Sequence, residues 1–219
     1  MLVRDSTNGR RAVLDSTTMP AAVPATEARA RILGSMATLV AEKGYAAVTI
    51  DDLARGARIS KRTFYDHFAD KERCFLAAYD AAAAHVYEAA ERAAGDSTLP
   101  ARARVDAVFA TYLKALAARP EMTRVFHVEI QAAGPEALDR HLAVNRRYAA
   151  LLRRIVRDDG HAELERPMAI ALLGAVHELV LHAIADGRTR GLPQQAATIG
   201  ALVDAALAAS APARSRAGQ

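Results

Sequence analysis

The stretch RISKRTFYDHFADKERCF, residues 58–75, combines basic side chains, aromatic side chains and two helix-capping residues in one short segment. Ser60 and Asp70 are typical N-caps, because their side-chain oxygens accept hydrogen bonds from backbone N–H groups of the first helical turn. Ile59 and Phe64 occupy the positions of a hydrophobic staple across the Ser60 cap. The stretch therefore predicts one helix after Ser60 and another after Asp70. It leaves open whether the basic groups are merely solvated or contact a polyanion.

A further capped helix lies directly upstream. Thr49 is its predicted N-cap, and Asp52 stands three residues later in a capping-box position. Only a few residues separate the end of this helix from the Ser60 cap. Two short helices joined by so tight a turn predict a helix-turn-helix over residues 49–68.

The composition favours helices along the rest of the chain. The 219 residues are 52% hydrophobic, with Ala dominating, and only 5% aromatic. Ala is the strongest helix former and is depleted in strands. Apolar residues recur with helical spacing from Thr26, the predicted N-cap of the first helix, to about Ser210, and no segment alternates as a strand would. We therefore predict an all-α fold.

The helix after Ser60 is expected to bury Phe64 and Phe68, which leaves its polar side chains exposed. Lys and Arg can donate to guanine, Thr can offer a hydroxyl or a methyl group, and Tyr can reach phosphate. The net charge of +4 and the sequence pI of about 9.4 permit an anionic partner without requiring one. The exposed set on this helix consists of Lys61, Arg62, Thr63, Tyr65 and His67.

Several other classes of function find no support in the sequence. Cys74 is the single cysteine, so neither a disulfide framework nor a cysteine metal site is expected. No catalytic triad order and no phosphate-binding glycine loop is present, and we predict no enzyme activity, no cofactor and no metal site. Residues 168–176 form the longest apolar run, which we judge too short to cross a bilayer. We expect a cytoplasmic protein with no membrane partner.

Residues 26–86 resemble the TetR family of bacterial transcriptional regulators. The resemblance rests on "ATLVAEKGY" at residues 37–45, "VTIDDLA" at residues 48–54 and, most specifically, "SKRTFYDHFADKE" at residues 60–72. It implies that Ser60, Lys61, Arg62, Thr63, Tyr65, His67 and Lys71 contact double-stranded operator DNA, and that Thr49 caps its helix close to the DNA backbone.

One position departs from the family pattern. The turn reads Ala57-Arg58-Ile59, where members of the family usually carry Ala-Gly-Val. If the turn requires a positive φ at Arg58, a non-glycine residue stores a small strain there. We expect the Arg58 side chain to be solvated.

The resemblance also implies a division of the chain. We predict a disordered arm over residues 1–24, a DNA-binding domain over residues 26–86, an effector-binding and dimerisation domain over residues 87–210 and a disordered tail over residues 211–219. The last two helices would form the homodimer interface, and a central core helix of a monomer is the alternative for residues 168–176. The candidate interface residues are Leu172, Ala175, Leu179, Leu202 and Ala206.

Four polar residues on otherwise apolar helix faces indicate where a pocket would be polar. These are Tyr112, His127, Asn145 and His177. Each alone is better explained as a structural residue with an internal hydrogen-bond partner. Together with Phe109, Phe126 and Ile130 they form our candidate site for a small-molecule effector.

The sequence thus predicts a ligand-responsive, dimeric DNA-binding regulator, most simply a repressor released by a small molecule. The alternative is a helical ligand-binding or catalytic bundle whose N-terminal helices no longer bind DNA. The cationic face at Lys61, Arg62 and Thr63 favours the first, because a decayed DNA-binding segment would have no reason to keep it.

Overall fold

The computed structural model describes residues 25–95, 98–158 and 164–210, and these residues fold into α-helices and short 3₁₀ segments without a strand. The predicted arm and the predicted tail lie outside the described residues. The all-α prediction is confirmed. The helices are α1 Ala25–Lys43, α2 Ile50–Ala57, α3 Lys61–His67, α4 Lys71–Ala93, α5 Ala101–Ala118, α6 Pro120–His127, α7 Pro135–Asp158, α8 Arg166–Ala185 and α9 Ala196–Ser210, with 3₁₀ helices at Glu129–Ala132 and Thr189–Gln195.

The predicted caps of the N-terminal helices are confirmed with one exception. The Thr49 side chain accepts from the backbone N–H of Asp52 at 3.2 Å, and the Asp52 carboxylate accepts in return from the backbone N–H of Thr49 at 3.0 Å. Ser60 accepts from the backbone of Thr63 at 3.0 Å, and Asp70 caps α4 in the same way. Thr26 does not cap α1, because the helix already includes Ala25.

Two apolar cores lie along the chain, and α4 contributes to both. The first half of α4, with Phe75 and Leu76, packs into a core that holds Leu53 and Phe64 of the helix-turn-helix. The second half of α4, with Tyr87, packs against α5 and α7, in a core that also holds residues of α8 and α9. A single rigid helix therefore joins the helix-turn-helix to the rest of the protein.

The helix-turn-helix core is completed from a distant part of the chain. Val125 of α6, Ile130 of the following 3₁₀ helix and Ala133 and Ala137 beyond it are buried in this core. The α6 segment thus packs against α1 rather than only against the C-terminal helices. The N-terminal helices are not a free-standing unit in this structure.

The last two α-helices are separated by a short 3₁₀ segment. α9 begins at Ala196, after the 3₁₀ helix that contains Pro193. Proline lacks an N–H group, which favours a short irregular turn at this point. α8 is 20 residues long, so by length and composition it could cross a membrane, although the apolar run at residues 168–176 is by itself too short. A core or interface helix of a folded protein passes the same test.

Candidate DNA-binding surface and ligand cavity

The first turn of α3 presents its polar side chains on one exposed surface. Lys61, Arg62 and Tyr65 are exposed, and Phe64 on the opposite side is fully buried. The Tyr65 ring packs edge-on against Phe64 at 5.6 Å and keeps 54% of its surface accessible. The ring contact holds the Tyr65 side chain in place, and its hydroxyl group points outward.

The two cations of this surface differ in their partners. The ammonium of Lys61 lies 2.5 Å from the Asp51 carboxylate of α2, and both groups are largely exposed. Arg62 forms no ion pair with any of the described residues. Its guanidinium is therefore free to form the bidentate contacts with guanine or phosphate that its planar geometry allows.

The hydroxyl groups at the N-terminal ends of α2 and α3 are already paired. Ser60 and Thr63 exchange a hydrogen bond of 2.9 Å between their side-chain oxygens, and the Thr49 hydroxyl donates to Asp52 at 2.6 Å. Lys43 also donates to the Asp52 carboxylate at 2.6 Å, and this bond is the main reason why the pKa of Asp52 lies well below its ordinary value. The geometry supports Thr49 as a cap and gives it no free donor.

Lys71 is used within the protein, although the sequence resemblance implies a DNA contact. Its ammonium donates to the backbone carbonyl of Tyr45 at 3.0 Å and of Ala46 at 3.4 Å, and it lies 4.4 Å from the centroid of the Tyr45 ring. These bonds tie the start of α4 to the turn between α1 and α2. His67, the last predicted residue of the surface, is partly exposed beside Phe68.

Arg58 adopts the left-handed conformation that the altered turn sequence suggested. Its φ and ψ angles are 54° and 52°, and it is the one non-glycine residue with positive φ in the described part of the chain. Its backbone N–H bonds to the carbonyls of Ala54 and Arg55 and so ends α2. The condition set for strain at this turn, a positive φ at Arg58, is therefore met.

A cavity of about 630 Å³ lies behind the helix-turn-helix, between α1, α4, α5, α6, α7 and α8. Most of the residues predicted for the effector site line it, namely Phe109, Tyr112, Phe126, His127, Asn145 and His177. Ile130 does not. It lies on the 3₁₀ helix after α6 and is buried in the helix-turn-helix core, because the chain turns away from the cavity at that point.

Sequence reasoning also missed several residues that line the cavity, among them Tyr79, His141 and Tyr148. The apolar pattern of α7 favours a face with Leu138 and Leu142, but these side chains are 55% and 41% exposed. His141 lies four residues before Asn145, a spacing that places both on one side of a helix. That spacing was the signal that could have found it.

The polar part of the cavity is a hydrogen-bonded network of phenol, imidazole and amide groups. His127 donates from Nδ1 to the Thr123 carbonyl at 2.9 Å, and its Nε2 accepts from the Tyr112 hydroxyl at 3.0 Å. On α7, His141 bonds to the Tyr79 hydroxyl at 3.3 Å and to the Asn145 side chain at 3.1 Å. Each of these two imidazoles has both nitrogens engaged.

His177 of α8 also lies in this polar part of the cavity. Its ring stacks on His127 with 5.5 Å between centroids and lies 5.1 Å from the ring of His141. Burial lowers the pKa of all three histidines, and that of His127 falls to about 4. The three imidazoles are therefore neutral at neutral pH. Nowhere in residues 25–95, 98–158 and 164–210 do three or more His, Cys, Asp or Glu side chains form a group suited to a metal ion.

The predicted dimer residues divide between the core and the surface. Leu172 and Ala206 are 6% and 7% exposed and pack inside the protomer. Leu202 of α9 is exposed, and Ala175 and Leu179 are partly buried. The sequence did not single out Ile170, which is 45% exposed on α8. The outward apolar surface thus contains Ile170 and Leu202.

Comparison with known proteins relates the helix-turn-helix segment to a family. Residues 32–78 match the family described as "Bacterial regulatory proteins, tetR family". The HTH-type transcriptional regulator EthR of Mycolicibacterium smegmatis is 43% identical over 51 residues, which are 23% of this chain and 24% of that relative. The curated match thus spans only about a quarter of the relative's length.

Solved structures resemble a much larger part of the chain. The fatty acid degradation regulator FadR from Bacillus halodurans has a TM-score of 0.72 and 16% identity, over 80% of this chain and 94% of its own. FadR from Bacillus subtilis, solved in complex with stearoyl-CoA, has a TM-score of 0.71 and 17% identity over 80% and 96%. The TetR family regulator PfmR from Thermus thermophilus gives 0.61 and 22% over 84% and 100%. At these identities the likeness concerns the fold, and the match over residues 32–78 shows that the helix-turn-helix is of the type found in the tetR family of bacterial regulatory proteins.

Proposed function

We propose that this protein is a DNA-binding transcriptional regulator that reads its operator through α3. The observation that carries the proposal is the unpaired guanidinium of Arg62, exposed on the first turn of a short helix whose other side is locked in a core. Arg in this position can bond guanine in the major groove. Lys61 and Tyr65 on the same surface supply groups that can contact phosphate.

We give the predicted DNA contacts unequal weights in this proposal. Arg62, Lys61 and Tyr65 are exposed and are our candidates for direct contact, with Thr63, Ser60 and His67 beside them. Thr49 and Lys71 hold α2 and α4 in place through internal hydrogen bonds. We propose that these two act mainly by positioning the surface.

We further propose that two copies associate through α8 and α9. α8 has a mean hydropathy of 1.8 over its most apolar window, yet only 22% of that window is buried in the protomer. Ile170 and Leu202 would become buried in a dimer, and Gly174 has open space at its Cα for a close approach. A two-fold dimer would also read two half-sites one helical turn apart. The double substitution Ile170→Asp and Leu202→Asp is expected to yield monomers by light scattering, and Leu138→Asp, at an exposed leucine on α7, is the matched control.

We propose that a small molecule in the cavity weakens operator binding, which would make the protein a repressor released by its ligand. The fold neighbour from Bacillus subtilis was solved with stearoyl-CoA, and ligand binding in this fold therefore has a precedent. In the present chain α6 forms one wall of the cavity and also packs against α1. A ligand that displaces α6 can therefore change the position of the helix-turn-helix.

The division of the chain follows from this proposal. Residues 26–86 would bind DNA, and residues 87–210 would bind the effector and dimerise, with the boundary inside α4. No catalytic step and no cofactor is part of the proposal, and we expect the protein to act in the cytoplasm.

The test is binding of the full chain to the DNA upstream of its own gene, measured by fluorescence anisotropy at several salt concentrations. We expect an affinity that falls steeply with salt, because Lys and Arg displace condensed counterions from phosphate. A shuffled DNA of equal length is the control. Equal affinity for both DNAs, or no binding at any salt concentration, would favour the alternative of a helical ligand-binding bundle without DNA recognition.

A further inference from the structure

Three imidazoles from three different helices meet at the polar corner of the cavity, and their hydrogen bonds distinguish them. His127 and His141 have both ring nitrogens engaged, with Tyr112 and Thr123 in one case and Tyr79 and Asn145 in the other. His177 lies between them and is held by ring contacts, with no hydrogen bond to any described residue. Its two nitrogens are therefore available to a molecule in the cavity.

The charged groups that line the cavity limit the chemical class of such a ligand. No Asp or Glu side chain is among the described residues that line the cavity, whereas Arg119 and several histidines do line it. A cationic ligand would lose its hydration there without gaining a counter-ion, which is strongly unfavourable in an apolar enclosure. Most of the remaining lining residues are apolar, so most of the ligand must be apolar as well.

A second unsatisfied group lies in the same wall. The hydroxyl of Tyr148 on α7 is buried and has no hydrogen-bond partner, and the residue as a whole is 7% exposed. Its ring packs edge-on against Tyr112, the phenol that bonds to His127. An unpaired buried hydroxyl is unfavourable, so a ligand oxygen that accepts a hydrogen bond from it would remove that penalty.

We propose that the cavity binds an apolar carboxylic acid, and that His177 holds its acid group as an imidazolium–carboxylate pair. This proposal rests on the ligand site of the proposed function and specifies the class of its ligand. The acid transfers its O–H proton to a ring nitrogen of His177, or an already ionised acid binds together with one proton taken from solvent. In both cases the bound pair is neutral overall, which allows it to be buried.

The groups that face His177 suit this pair. From α6 and α7 it meets the neutral rings of His127 and His141, and the phenols of Tyr112 on α5 and Tyr79 on α4 stand behind them. On its own helix Glu178 is adjacent in sequence but largely exposed and paired with His182. No carboxylate from a neighbouring helix competes for the imidazolium, since none lines the described cavity.

The test uses isothermal titration calorimetry on the full chain without DNA. The probes are straight-chain carboxylates, primary alcohols and trimethylammonium ions, each with eight, twelve and sixteen carbons. At the best chain length we expect the acid to bind about tenfold more tightly than the alcohol, as one charge-assisted hydrogen bond would give. We expect the ammonium ion not to bind. Titration in phosphate and in Tris at pH 7.5 should show uptake of close to one proton per acid and none per alcohol.

Variants of His177 distinguish its proposed role as proton acceptor from a purely structural packing role. His177→Gln can form hydrogen bonds but cannot accept the proton, so acid binding should fall about tenfold and proton uptake should vanish, with alcohol binding changed less than twofold. Glu165→Gln, which removes an exposed carboxylate at the N-terminal end of the same helix, is the control and should leave both unchanged. Equal loss of acid and alcohol binding in His177→Gln would overturn the proposal, as would proton uptake that persists in this variant.

The outcome is independent of the operator experiment. If the acid binds as described but the protein ignores its upstream DNA, the ligand class stands and the regulatory function fails. If the operator is bound specifically but acid and alcohol bind equally, or neither binds, this inference fails and the DNA-binding function stands.

Discussion

The backbone N–H of Tyr45 donates to Oε2 of Glu129 at 3.0 Å, across a separation of 84 residues. Tyr45 lies in the turn between α1 and α2, and Glu129 begins the 3₁₀ helix that follows α6. The other carboxylate oxygen of Glu129 pairs with Arg124 of α6 at 3.2 Å. The cavity wall and the helix-turn-helix are therefore joined by one carboxylate, and the Tyr45 carbonyl extends this connection to Lys71 at the start of α4.

Replacing Glu129 with Ala is expected to uncouple ligand binding from DNA binding. The Tyr45 N–H would lose its acceptor, which should reduce the free energy of unfolding by about 1–2 kcal/mol. Because coupling between two sites is a shared free energy, a saturating ligand should then change operator affinity much less than in the unaltered protein. Anisotropy titrations with and without ligand measure this. Glu129→Gln keeps an acceptor and should retain most of the coupling, and full coupling in Glu129→Ala would show that another contact carries the signal.

Arg62→Ala is expected to relax base preference at one operator position, at a loss of about 1–3 kcal/mol for the preferred base. The reason is that Arg62 has no competing partner among the described residues, so its guanidinium is free for the base edge. Competition binding with single-base operator variants measures the effect. Arg92→Ala removes an exposed arginine at the far end of α4 and should change nothing. An unaltered pattern of base preference in Arg62→Ala would assign base reading to another residue.

Arg58→Gly is expected to stabilise the protein by up to about 1 kcal/mol. A left-handed conformation at a residue with a Cβ is unfavourable by about 1–2 kcal/mol, and the greater freedom of glycine in the unfolded chain offsets part of that gain. Urea denaturation followed by circular dichroism measures the difference. Arg58→Ala removes the same guanidinium but keeps the Cβ, so it should show no gain. If both variants were equally stabilised, the charge of Arg58 rather than its backbone would be responsible.

The protein is expected to lose stability as the pH falls from about 6.5 to about 4, the pKa of buried His127. Since the pKa of His127 is lowered in the folded state, the unfolded chain binds more protons in this interval, and each unit of pH reduces the free energy of unfolding by up to about 1.4 kcal/mol. The lowered pKa values of His141 and His177 act in the same direction.

Denaturant midpoints at pH 7.5, 6 and 5 measure this dependence. His127→Gln should flatten it, because glutamine does not titrate. Asp52 has its pKa lowered, so its contribution is lost only below its ordinary value near 3.8 and lies outside this interval. A profile that is the same in both proteins would contradict the assignment to His127.

The caps and the exposed face of α3 were predictable from sequence because they depend on contacts within a few residues. Thr49, Ser60 and Asp70 form bonds to backbone groups three positions away. The role of Lys71 was not predictable in this way, since its acceptors lie about 25 residues earlier in a turn that only the folded core brings near.

The prediction of the residues that line the cavity was limited in the same way. A polar residue among apolar neighbours singled out Tyr112 and His177, which line the cavity, because such a pattern persists along one helix. Which side of α7 faces inward depends on packing with several other helices, and this is why the apolar pattern misplaces Leu138 and overlooks His141. Ile130 failed for a further reason, since a short 3₁₀ turn after α6 redirects the chain.

The N-terminal helices and the α6 segment share one apolar core. This shared core limits which segments can be exchanged between this protein and its relatives. A graft that exchanged residues 26–86 alone would place a foreign helix-turn-helix against Val125, Ile130, Ala133 and Ala137, four buried side chains shaped for the original one. A chimera with altered operator choice should therefore carry residues 120–137 together with the N-terminal helices. In evolutionary terms, new DNA specificity in this chain is more accessible through single changes on the outer surface of α3 than through exchange of the whole DNA-binding segment.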